Sequence, residues 1–222
     1  MVQCVNGHLF CSDCRGELVE CPTCREDFSP NKPSGFITQV VGALPPRCRH
    51  KNCGRYIKGD EDHEKYCGFN PTECKATNCE WRGYSQELLQ HVRQQHAELI
   101  TESGTLTVSI DNFNVDENRK IIRVWLVQGQ FFWHEIENDT ETKVFKHSFL
   151  LVPNGKPKNE FFVKVNSALK DTKFFVKIKL SLDPNSSIQE TNFISIPKFM
   201  LPYFVNEENK LNFNVAFKIN KD

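Results

Sequence analysis

The sequence predicts a multidomain protein in which small zinc-stabilised α+β modules precede one all-β antiparallel sandwich. All ten cysteines fall between Cys4 and Cys79, leaving the last 143 residues with none. From about residue 104 onward, apolar residues recur with a period of two, and no long helical run interrupts them. Charge is balanced in every section. Residues 1–44 hold three Lys/Arg against five Asp/Glu, residues 45–100 nine against eight, and residues 101–222 sixteen against fifteen. Nucleic-acid binders draw much of their affinity from phosphate neutralisation, so this balance argues against nucleic acid as a partner.

The stretch from Cys48 to His96 organises the chain. It reads Cys48-x4-Cys53-x9-His63-x3-Cys67 and then Cys74-x4-Cys79-x11-His91-x4-His96. Each run supplies four sulfur or nitrogen donors, two from a short loop and two about a dozen residues later. That donor set suits tetrahedral Zn²⁺, and a segment this short cannot bury a core without it. With four protein ligands per ion there is no open position for substrate, so both sites read as structural. Residues 47–100 are therefore tandem zinc fingers.

Residues 1–28 carry a third series, Cys4-x3-His8-x2-Cys11-x2-Cys14-x6-Cys21-x2-Cys24. It resembles the later six of the eight ligands of a RING finger. In a RING cross-brace, Cys4, His8, Cys21 and Cys24 form one complete site. Cys11 and Cys14 form half of the other, whose partners would precede Met1. Residues 29–46 are a connector. Ser29 to Gly35 is rich in breakers, and Phe36, Ile37, Val40, Val41 and Leu44 follow at helical spacing until Pro45-Pro46. A short helix packed on a zinc module is expected there. In the second finger, Ser85 is expected to cap a helix carrying Leu88, Leu89, Val92 and the ligands His91 and His96.

Residues 101–222 read as the sandwich. Leu106, Val108 and Ile110 alternate with polar residues, as do Val176 to Leu182 and Leu211 to Ile219. Further strands are expected near 121–128, 131–137, 143–152, 160–166 and 191–196, separated by turn signals such as Pro153-Asn154-Gly155 and Asp183-Pro184-Asn185. One apolar and one polar face per strand is the antiparallel pattern. Fourteen of the eighteen phenylalanines lie here and are expected to form core, and His134 and His147 are expected to be structural. No phosphate loop, nucleophile elbow or paired-carboxylate motif is present. Residues 1–30 lack a basic segment followed by an apolar run, and no stretch approaches the ~20 apolar residues of a membrane span. Unbridged thiols then point to a cytosolic or nuclear protein with no membrane partner.

This order of modules resembles the Seven-in-absentia (Siah) family of RING-type ubiquitin ligases. The resemblance rests on Gly7-His8-Leu9-x-Cys11-Ser12-x-Cys14-Arg15, Cys21-Pro22-Thr23-Cys24-Arg25 and the finger pair ending His91-x4-His96, with a weaker match over Glu208 to Val215. It implies a TRAF-like substrate-binding sandwich at 101–222, a homodimer through that domain, and a ubiquitin-conjugating enzyme as partner. Substrates would be proteins held through a degron peptide. In such RINGs the residue at Pro22 touches the conjugating enzyme and that at Arg25 bridges to ubiquitin. A loose family alignment places the peptide groove on residues 121–126, with Ile122 and Val124 lining it. The alternative is a non-catalytic adaptor or dominant-negative dimer partner, because the first RING ligand pair is absent from these residues. An upstream Cys-x2-Cys, with Met1 not the natural start, is the expected resolution.

Overall fold

The computed structural model describes residues 1–57, 62–169, 172–184 and 191–219. Two compact units emerge: Met1–Arg47 with Arg55–Asp60, and Cys48–Gly54 with Glu61–Asp222. The second contains both finger ligand sets together with the sandwich.

In the first unit, strands β1 (Val2–Gln3) and β2 (Leu9–Phe10) pair antiparallel. Helix α1 (Ser12–Arg15) is a single turn whose N-cap is Cys11. Phe10 and Phe28 meet edge to face at 5.6 Å, and the Arg15 guanidinium lies 3.9 Å from the Phe28 centroid. Helix α2 (Gly35–Ala43) forms where the connector pattern places it, with the Ser34 hydroxyl accepting from the Ile37 N–H at 3.3 Å. The expected packing is not there. None of the residues of α2 is buried, and Phe36, Val40, Val41 and Leu44 are exposed. The period fixed the helix, but a nine-residue helix with so few polar positions has no broad core beside it to join.

In the second unit, β3 (Pro71–Glu73) and β4 (Arg82–Tyr84) form a ribbon that leads into helix α3 (Ser85–Gln95). Ser85 is not the cap. It is the first helical residue, buried, and its hydroxyl donates to the Asn70 carbonyl at 2.9 Å. Glu87 instead reaches back to accept from the Tyr84 N–H at 3.2 Å, the carboxylate half of a capping box. His96, expected within the helix, is the residue that ends it.

The remaining strands are β5 (Ile100–Thr101), β6 (Thr105–Ile110), β7 (Arg119–Val127), β8 (Gln130–Asp139), β9 (Val144–Val152), β10 (Phe161–Leu169), β11 (Thr172–Lys179), β12 (Phe193–Pro197) and β13 (Leu211–Ile219). They build two sheets, in the orders β11-β10-β13-β6 and β12-β9-β8-β7-β5. All these pairings are antiparallel except β5 with β7, where Ile100 lies opposite Val124. The hairpin joining β7 to β8 turns on Gln128 and Gly129, both at positive φ (50° and 73°), the two-residue turn whose twist suits flanking strands. Of the expected turn Asp183-Pro184-Asn185, Asn185 lies outside the described residues.

Between the sheets lies an aromatic core. Trp125, Phe132, Phe145 and Phe149 from one sheet meet Phe161, Phe213 and Phe217 from the other, all essentially inaccessible. His134 and His147 sit inside it, fully buried. The Trp125 Nε1–H donates to His134 Nδ1 at 3.2 Å, so the proton of neutral His134 is on Nε2 and points at His147 Nδ1, 3.0 Å away. That leaves the proton of His147 on Nε2, which has no hydrogen-bond partner among the described residues.

One feature departs from the expected alternation. Strands β7 and β8 are buried on both faces. Ile122, Val124, Phe131, Trp133 and Val152 point away from the inter-sheet core and form a second cluster with Cys74, Ala76, Leu88 and Val92 of the second finger. Helix α3 therefore covers the outside of the five-stranded sheet. A Lys75–Glu135 ion pair at 2.6 Å, with Lys120 on the other carboxylate oxygen at 2.7 Å, ties finger to sheet at the edge of this cluster.

Candidate metal centres

Three groups of four donors converge: Cys4/His8/Cys21/Cys24, Cys48/Cys53/His63/Cys67 and Cys74/Cys79/His91/His96. Within each, all ligand atoms lie within 4.8 Å of one another. With Zn–S near 2.3 Å, a tetrahedron around zinc has S···S edges of about 3.8 Å. Cys4 and Cys24 sulfurs are 3.8 Å apart, as are those of Cys48 and Cys67. Sulfur to ring nitrogen is 3.4 Å for Cys4–His8, 3.2 Å for Cys53–His63 and 3.3 Å for Cys79–His91. His96 Nε2 is buried without a hydrogen-bond partner among the described residues, an orphan that a metal in the third group accounts for.

Local sequence makes these shapes. In the first group, Gly7 at φ +82° lets the chain turn between its ligands, with the Gly7 N–H on the Cys4 carbonyl at 2.9 Å. The His8 N–H then donates to Cys4 Sγ at 3.3 Å. Asn52 and Asn78 take left-handed conformations in the two finger loops. In the third group the Trp81 ring stacks on His91 at 4.7 Å and 9°, fixing the orientation of that imidazole.

The donors' electrostatics call for a cation. Burial pushes the Cys67 thiol up to about 12 and the Cys74 thiol up to about 11, and in each the neighbouring cysteines add to the rise. Burial holds His91 below its usual value, neutral, with the charge of His96 adding to the shift. At Cys21 burial is outweighed by the Cys24 and Thr23 N–H groups, and the value falls to about 6. Buried thiols clustered at under 4 Å cannot all ionise unaided; a divalent ion makes ionisation favourable. These residues fit Zn²⁺, whose chemistry here is to hold loops in place. Thiolates engaged in this way are not free nucleophiles.

Cys11 and Cys14 behave differently. Each was expected to be a zinc ligand, but their sulfurs are bonded to each other in a disulfide, and among the described residues they belong to no four-donor group. Pro22 and Arg25, next to the first group, are both exposed, and Arg25 takes φ +62° with its N–H on the Cys21 carbonyl at 2.7 Å.

Ile122 and Val124, expected to line a peptide groove, are buried. Ile122 is 6% exposed and Val124 is 0% exposed, and both belong to the buried cluster that includes Leu88 and Val92 of α3. They line no open groove. The consecutive apolar runs Val124-Trp125-Leu126-Val127 and Phe131-Phe132-Trp133 were the signal for this, since strands covered on both faces lose alternation. Glu135, which anchors Lys75 and Lys120, carries no motif that sequence reading could flag. Its burial pushes the carboxyl up, but the two lysines outweigh that and hold it below the usual range.

Geometry thus defines a protein of three structural-zinc modules and an antiparallel sandwich. Residues 39–108 match the family model "Sina, zinc finger", and residues 1–24 match "E3 ubiquitin-protein ligase sina/sinah, RING finger". Both matched segments are therefore similar to zinc modules of the Sina/Siah type. The chain's relatives include the probable E3 ubiquitin-protein ligase sinah of Drosophila melanogaster, 26% identical over 98% of this chain and 65% of that protein. They also include E3 ubiquitin-protein ligase siah2 of Xenopus laevis and SIAH2 of Homo sapiens. Each is 29% identical over 47% of this chain, covering 35% and 34% of those proteins. The chain thus spans about a third of the vertebrate relatives' length and about two thirds of sinah's.

Proposed function

We propose that this chain acts in ubiquitin transfer as a RING-type ligase. The conjugating enzyme docks on the first zinc module, and the sandwich holds a protein substrate for transfer and degradation. The observation that carries this reading is the complete Cys4/His8/Cys21/Cys24 group with Pro22 and Arg25 exposed beside it, in a segment of Sina RING type. Pro22 would contact the conjugating enzyme, and Arg25 would bridge to ubiquitin. No covalent intermediate with the ligase is required. The gain is proximity, holding a charged conjugating enzyme next to a substrate lysine. A TRAF-like sandwich, a homodimer through it, recognition of a degron peptide, and a cytosolic or nuclear location complete the proposal.

A second reading is a non-catalytic substrate-binding adaptor or dominant-negative dimer partner, in which Cys11 and Cys14 are paired with each other and ligate no metal. An autoubiquitination assay with the purified, zinc-loaded chain separates the two. Ubiquitin chains that disappear in Arg25→Ala support the ligase. Absent chain formation, with substrate binding and dimerisation retained, supports the adaptor.

A further inference from the structure

The two sheets present opposite exteriors. The five-stranded sheet is covered by the second finger, whereas the outer face of the four-stranded sheet is open. Strand period sends Lys173, Phe175, Lys177 and Lys179 of β11 to that face, all exposed. Lys164 of β10 lies opposite Lys177 in the register, and Phe162 lies opposite both Lys179 and Lys218 of β13. The rest of the face is Ala, Asn, Ser and Thr, and none of its described residues is acidic. Among the described residues, the anionic contact to it comes from its rim, where Glu160 pairs with Lys179. Lys164, Lys173 and Lys218 have no acidic partner among the described residues. A chain with zero net charge has thus gathered a cationic field on one flat face.

We propose that this face docks an acidic, extended segment of a partner polypeptide, with carboxylates on Lys164, Lys173, Lys177 and Lys218 and one apolar side chain against Phe175. The proposal deepens the ligase reading and rests on it, since it names the chemical class that the sandwich recruits. Residues i and i+2 of any extended peptide repeat at about 6.8 Å, the same step as the lysines along β11. A polypeptide suits the face better than a single-stranded nucleic acid. Stacking platforms need successive open rings. Here the Lys177 ammonium caps Phe162 at 4.4 Å, leaving Phe175, 62% exposed, as the open one. Two of the five amines, Lys164 and Lys218, sit on the inner strands β10 and β13, so the pattern is not merely the lysine guarding of an edge strand.

The test is fluorescence anisotropy on the full zinc-loaded chain. The probe is a short labelled peptide of alternating glutamates with one central leucine, and labelled oligo(dT) is run in parallel. Binding should weaken with salt and fall about tenfold in Lys164→Glu/Lys177→Glu, the effect of inverting two exposed charge contacts. It should be unchanged in Lys143→Glu, which lies off this face. Phe175→Ser, at an exposed position, should weaken the leucine peptide but not its serine counterpart. Peptide binding indifferent to the double reversal overturns the proposal. So does oligo(dT) that binds more tightly than the peptide and is lost in the same variant. Ubiquitin-chain formation by the same proteins keeps the two readings apart. If it persists while the peptide fails to bind, this inference falls and the ligase stands; if it is absent while the peptide binds, the reverse holds.

Discussion

The first zinc group and the third use the same chemistry for different ends. Cys4/His8/Cys21/Cys24 is set in a segment whose buried apolar residues are little more than two of its own ligands, and its neighbours Pro22 and Arg25 face solvent. Cys74/Cys79/His91/His96 holds a helix that buries Leu88 and Val92 against Val124 and Trp133 of the sandwich. In the first, the metal organises a surface. In the third, it organises half of a shared core. Ligand spacing alone does not distinguish these roles; what the ligand-bearing helix buries does.

The largest effect should come from His91→Ala. Structural zinc supplies about 10–16 kcal/mol in finger peptides, comparable with the stability of a domain. Losing the third site should unfold α3 and uncover Trp133 and Val124. Metal analysis should show one zinc fewer than wild type, and light scattering should show aggregation of an otherwise β-rich protein. A monodisperse variant with wild-type melting would separate the finger from the sandwich.

Leu88→Ala keeps every ligand and tests the core directly. A fully buried leucine truncated to alanine costs about 2–5 kcal/mol. Denaturant unfolding of the sandwich should shift by that amount while zinc content stays at wild type.

Titration comes next. Burial holds both His134 and His147 below their usual value, His147 at about 3, and at His134 the charges of His147 and Arg123 add to the shift. In the unfolded chain they titrate near 6.5, so between about 3 and 6.5 the unfolded state binds more protons. Stability should therefore fall as pH drops below 6.5, by about 1.4 kcal/mol per pH unit for each histidine. His147→Phe, placed among Phe145 and Phe213, should lose about half of that slope in pH-dependent denaturation. A slope identical to wild type would place the titration elsewhere.

Arg25→Ala should have the smallest effect on stability, within about 0.5 kcal/mol, because the side chain is exposed. Ubiquitin discharge from the conjugating enzyme should nevertheless drop. A stability loss without a loss of discharge would make Arg25 a framework residue like Leu88.

Much of this was legible in the sequence. Zinc ligation is specified by spacing over a dozen residues, so the three four-donor groups can be read without a fold. Period-two patterning likewise marked the strands from Thr105 to Ile219. Contacts between distant segments were not legible. Ile122 and Val124 are apolar and in a strand, but periodicity says only that their face is covered, not that α3 covers it. Ser85 has the chemistry of a cap, yet Asn70 claims its hydroxyl and Glu87 takes that task. The fate of Cys11 and Cys14 depends on which donors share their neighbourhood, and the ligand series through Cys24 does not encode that.

Hydrogen exchange across the whole chain, before and after chelation of zinc, tests the central contrast most directly. Amides around Cys4 to Cys24 should lose protection completely with no effect reaching the four-stranded sheet. Those of α3 should lose it together with the central residues of β7 and β8, whose outer face α3 covers. Unchanged protection of β7 and β8 after α3 has melted would contradict the account, because the second finger would then be a passenger on the sandwich and not part of its core.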